Sequence, residues 1–88
     1  MNREQVYEII NGEREYQDAL VQRGVYEKQV HTVGEEILMI CHYSDLAKES
    51  WTKNYGDTEA LKQIRKIAAL CVRCMENHGA TPRKRATE

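Results

Sequence analysis

The chain of 88 residues is one domain at most, with 41% hydrophobic and 31% charged residues and a net charge of −1. This balance excludes a disordered chain and a nucleic-acid binder that works by bulk charge. No stretch is long and apolar enough to span a bilayer, and three cysteines, an odd count, argue against a disulfide framework.

The opening MNREQVYEII is not the pattern of a signal peptide, so the chain is read as a soluble, intracellular protein. From Arg3 to about Gln22 the residues Val6, Ile9, Ile10, Tyr16 and Leu20 form a loose apolar face, which predicts the first helix. Gly12 inside it marks a bend or a break. RGVYEKQVH then reads as a connection.

A second helix is expected to start at Thr32, because Thr32 and Glu35 form the T-x-x-E capping box. Val33, Ile37, Ile40, Ser44, Ala47 and Trp51 fall on one of its faces, and Met39, Tyr43 and Leu46 form a second apolar row beside it. One row can face the chain's own core, and the other is assigned to a second subunit. TKNYGD reads as a turn, with Gly56 as the helix stop.

Asp57 or Thr58 should cap a third helix. Its expected core stripe is Leu61, Ile64, Ala68, Cys71 and Met75, widened by Ile67, Val72 and Cys74. Gly79 ends it and Pro82 follows. No strand alternation and no internal repeat occur. The expected architecture is all-α: a small helical bundle built on a long helical hairpin and completed by oligomerisation. Residues 1–79 form the single domain, and 80–88 form a flexible tail with Arg83, Lys84 and Arg85.

Four groups of residues bear on chemistry. Glu36 falls inside the apolar arc of the second helix, where a carboxylate must be paired, protonated or bound to a metal. An ion pair to Arg14, Arg65 or another helix, or exposure in the first turn where the macrodipole favours an acid, is the ordinary outcome; a metal ligand or the partner of a catalytic base is the functional one. Lys62, Arg65, Lys66 and Arg73 form a basic face on the third helix around small Ala69. It suits phosphate, for which arginine offers a fork; the ordinary reading is a solvated face paired with Glu59 and Glu76. Cys71, Cys74 and His78 share a face, with Cys41 and His42 on the opposing helix, a weak pattern for zinc. Tyr7, Tyr16, Tyr26, Tyr43, Tyr55 and Trp51 offer rings on which a base can stack, although such residues more often pack in cores or interfaces.

GEREYQD (12–18), HTVGEEILMICHYSDLAKESW (31–51) and ALKQIRKIAALCVRCMENHGA (60–80) together resemble small bacteriophage proteins related to the MazG-like, all-α nucleotide pyrophosphohydrolase group. The resemblance implies a helical bundle assembled into dimers or tetramers, located in the cytoplasm of the host cell. Active members of that group hold magnesium with an E-E-x-x-E segment and an acidic E-x-x-D pair on the next helix. Glu35 and Glu36 match the first two acids, but Met39 stands where the third belongs. The segment that should supply the acidic pair offers Gln63, Arg65 and Lys66 instead. Magnesium needs hard oxygen ligands, so the departure favours an anion over a metal.

The first expectation is therefore a non-enzymatic, phage-type protein without a cofactor. It sequesters a phosphorylated nucleotide, such as a host immune signalling nucleotide, at interfaces of a homo-oligomer. Arg65, Lys66, Arg73 and Lys62 are the candidate phosphate contacts, Tyr43 and Trp51 the candidate stacking residues, and Arg14 and His31 further contacts. No membrane and no specific DNA or RNA are expected as partners. The second expectation is a divergent, magnesium-dependent nucleoside triphosphate pyrophosphohydrolase using Glu35 and Glu36. The third is an inhibitor that blocks a host protein through the second apolar row of the second helix or the basic tail.

Overall fold

A computed structural model of the chain describes residues 1–24, 30–53 and 56–84. The segment 25–29 with Tyr26, the pair Asn54 and Tyr55, and Arg85 to Glu88 of the tail lie outside the described residues. The described residues form three α-helices and no strand: α1 (Arg3–Gln22), α2 (Val33–Thr52) and α3 (Gly56–His78). None is long and apolar enough to cross a membrane.

Local sequence accounts for most helix ends. Asn2 caps α1 through a capping box with Gln5, at 2.9 and 2.8 Å. Thr32 caps α2 through the expected box with Glu35, at 3.1 and 2.9 Å. Each box satisfies two backbone N–H groups that the first helical turn leaves without partners. Gly79 adopts a φ of +97° and its N–H donates to the Met75 carbonyl, closing α3 where expected.

Two expected boundaries shift. Gly56 does not stop α2, which ends at Thr52, with the Lys53 N–H donating to the Glu49 carbonyl. Gly56, at φ +80°, instead opens α3, so Asp57 sits in the first turn rather than preceding the helix. Gly12 neither bends nor breaks α1, which runs through it as one helix of 20 residues.

α3 is the central element. α2 packs along much of it and α1 over a shorter length, while α1 and α2 make no comparable contact with each other. The pairs Glu36–Arg73, Tyr43–Lys66 and Trp51–Asp57 run in opposite numerical order, so α2 and α3 are antiparallel. The apolar residues buried are few: Ala60, Ala69 and Leu70. Ala69 is fully buried, which rotates α3 away from its expected orientation. The stripe expected to form its core is partly outward, with Leu61, Ile64 and Met75 exposed and Ala68 and Cys71 half-buried. The physical reason is that small Ala69 lets the neighbouring helices approach closely, and the long side chains beside it can pair across the seams.

Candidate functional site

The face of α3 centred on Ala69 carries Lys62, Arg65, Lys66, Arg73 and Glu76, because these positions lie three, four or seven residues from 69. Part of this basic face is directed into the helix seams: Arg65, Lys66 and Arg73 are half-buried, whereas Lys62 stays exposed. There, three carboxylates meet three arginines. Arg73 donates through Nε and Nη2 to Glu36, at 3.0 and 2.9 Å, and Glu36 is completely buried. Arg73 Nη2 also lies 3.9 Å from Met39 Sδ. Arg65 Nε donates to Glu13 at 2.7 Å. Arg14 donates to Glu76 at 3.0 and 2.9 Å and to Gln17 and Asp18 at 3.2 Å each.

The electrostatics follow from this geometry. The hydrogen bond to Glu76 raises the Arg14 guanidinium above its ordinary value, against the opposing effect of burial. The same bond holds the Glu76 carboxyl below the usual range. The Glu35 carboxyl is likewise lowered, chiefly by the hydrogen bond from the Thr32 backbone. Glu35 is thus engaged as a cap and Glu36 as the partner of Arg73, so the two acids are turned to different tasks.

The candidate anion contacts separate into two groups. Every guanidinium nitrogen of buried Arg14 already has a partner. Arg73 is held at two nitrogens, and Arg65 at one while remaining partly exposed. Lys62 pairs with Glu59 at 2.8 Å. Lys66 differs: its ammonium lies 5.6 Å from the centroid of the Tyr43 ring, and among the described residues no carboxylate lies within 4 Å of it. Tyr43 is half-buried and meets His42 edge-on, with ring centroids 5.3 Å apart. A cation beside an aromatic face can take a phosphate on one and a base on the other.

The remaining candidates are dispersed. Trp51 is exposed and its Nε1–H donates to Asp57 at 3.2 Å. It follows Tyr43 by eight residues, about 12 Å along α2. His31 Nδ1 is 3.8 Å from Glu35, too long for a hydrogen bond, and the His31 carbonyl oxygen lies 2.7 Å from His78 Nε2. Among the described residues no group of three or more His, Cys, Asp or Glu is placed to hold a metal, so Cys71, Cys74 and His78 do not gather into a zinc site. All three cysteines are free. Burial, then Cys74 and Glu36, push the Cys71 thiol up, away from the thiolate a nucleophile requires.

The seam residue that sequence reasoning missed is Glu13. Its signal was present: it falls three and four residues after Ile10 and Ile9, inside the α1 apolar stripe. Comparison with protein-family models, curated proteins and solved structures gives no match to this chain.

Proposed function

We propose that the chain is a non-enzymatic binding protein of the phage type that sequesters a phosphorylated nucleotide. The observation that carries this reading is the Lys66–Tyr43 pair: a half-buried cation over an aromatic ring, with no carboxylate of the described residues claiming it. Lys66 meets a phosphate oxygen and the Tyr43 ring offers a face to the base. Arg65, which keeps its terminal nitrogens outside the Glu13 bond, is a further candidate phosphate contact. In this reading the α2–α3 pair is the helical hairpin of a bundle completed by further copies, and the ligand is held where copies meet.

Kinship with the MazG-like group enters the same proposal through GEEILM, a helix start whose two acids serve as a cap and an arginine partner here. The divergent-hydrolase alternative draws less support, since magnesium would compete with Arg73 for Glu36 and with the helix cap for Glu35. The host-protein alternative draws on the apolar side chains left uncovered on α1 and α3.

The test is retention. Purified protein is mixed with a panel of linear and cyclic nucleotides and magnesium, filtered, and then denatured to release what it holds. Recovery of intact nucleotide is expected. Lys66→Ala should weaken retention by about 10- to 100-fold, the loss of one charge-assisted phosphate contact. Conversion of nucleotide to product overturns the reading in favour of the hydrolase. Absence of both depletion and conversion rejects it and leaves the protein-contact alternative.

A further inference from the structure

A folded monomer of 10.3 kDa is expected to expose about 5,400 Å², whereas this chain exposes 7300 Å². Its radius of gyration is 14.8 Å, against about 12 Å for a compact domain of the same length. The excess, roughly 1,900 Å², is shared between the exposed segment 80–84 and the helix faces, and it exceeds the roughly 800 Å² that one partner contributes to a standard protein interface. The chain's own core, Ala60, Ala69 and Leu70, is small beside it.

The uncovered apolar surface is not evenly spread. One part is concave and built by two helices. Val6, Ile9 and Ile10 of α1 and Leu61, Ile64 and Ala68 of α3 line an open groove of about 450 Å³. Four of these six are solvent-exposed despite being aliphatic: Val6, Ile9, Leu61 and Ile64. Lys62 and Arg65 also line it. Most of the rest lies on single helices: the outward row of α2 with Val33, Ile37 and Trp51, and beside it Leu38; Tyr7 and Tyr16 of α1; and Met75 of α3.

We propose that the α1–α3 groove is the contact surface for a second copy of this chain, related by a two-fold axis. A two-fold contact needs a self-complementary patch, and this groove is mostly aliphatic on both walls, while its two cations are already paired, Lys62 with Glu59 and Arg65 with Glu13. The arrangement sets α1 and α3 against the partner's same two helices. It closes a four-helix core in which ridges from each pair enter the other's groove. The expected orientation of α3 is thereby explained: Leu61, Ile64, Ala68, Cys71 and Met75 are a core stripe, but of the dimer. The proposal requires no ligand, so loss of nucleotide retention with assembly intact rejects the binding reading alone.

The test is mass in solution by sedimentation velocity on the full chain. Wild type is expected as a dimer or a multiple of one. Ile64→Glu should reduce the mass at least two-fold at equal concentration, with circular dichroism reporting whether the helices persist. Ile37→Glu, on the outward row of α2, should retain at least the dimer. A monomeric wild type, or Ile64→Glu with unchanged mass, overturns the proposal. Where Ile64→Glu loses its helices, Ile64→Cys in a Cys41→Ser, Cys71→Ser, Cys74→Ser background replaces it. A short bis-maleimide should then join two chains, and no cross-linked dimer from an associated protein places the contact elsewhere and overturns the proposal.

Discussion

Arg73→Met is the most informative single perturbation of the fold. Arg73 holds a fully buried Glu36 through two hydrogen bonds, at 3.0 and 2.9 Å, and is itself three-quarters covered. Removing the guanidinium leaves a carboxylate in the α2–α3 seam with no other hydrogen-bond donor among the described residues. Breaking a buried pair in this way costs about 3–5 kcal/mol. In a domain of this length each kcal/mol moves the melting temperature by about 4–8 °C, so a fall of well over 10 °C is expected. The assay is thermal unfolding by circular dichroism at neutral pH and a fixed protein concentration, since assembly alters apparent stability. The double variant Glu36→Leu/Arg73→Met should recover most of the loss, because a well-packed apolar pair often equals or exceeds a buried ion pair. A loss below about 1 kcal/mol in Arg73→Met, the range of a surface pair, would refute the claim that this bridge organises the seam.

Other perturbations test separate parts of the structure. Thr32→Ala removes the α2 cap and should cost about 1 kcal/mol in denaturant unfolding. Gly12→Ala should stabilise the chain by about 0.5–1 kcal/mol, since the helix is regular there and an added Cβ meets nothing within 4 Å. The lowered Glu76 carboxyl stabilises the α1–α3 contact above the ordinary glutamate range, near pH 4.3. That contribution is lost as pH falls through the folded-state value. Hydrogen exchange in α1 should therefore quicken relative to α3 upon acidification, and Glu76→Gln should flatten the dependence. Cys41, exposed, should react with a thiol reagent before Cys71, whose thiol is partly covered and pushed up by burial.

The parts legible in the sequence are those governed by local rules. The three helices, the Thr32–Glu35 cap and the stop at Gly79 depend on residues within a few positions of one another. Asn2 and Gln5 form an equally local signal, at the same spacing as Thr32 and Glu35. The orientation of α3 was less accessible, because apolar periodicity identifies a stripe that wants covering without saying what covers it. Leu61, Ile64 and Met75 satisfy that pattern while standing at the surface of the single chain. The pairing of Arg73 with Glu36 was half legible: the position of Glu36 in an apolar arc required a partner, but its identity depends on an antiparallel register between residues 37 apart. Glu13 and Arg14 add the same lesson on α1, where adjacent side chains reach Arg65 and Glu76, eleven positions apart on α3. A charged residue interrupting an apolar stripe is thus best read as half of a pair whose other half lies on a neighbouring helix. Applied to the candidate anion contacts, that rule removes Arg14 on α1 and most of Arg73 on α3. It leaves Lys66, beside Tyr43, as the residue on which the binding hypothesis turns.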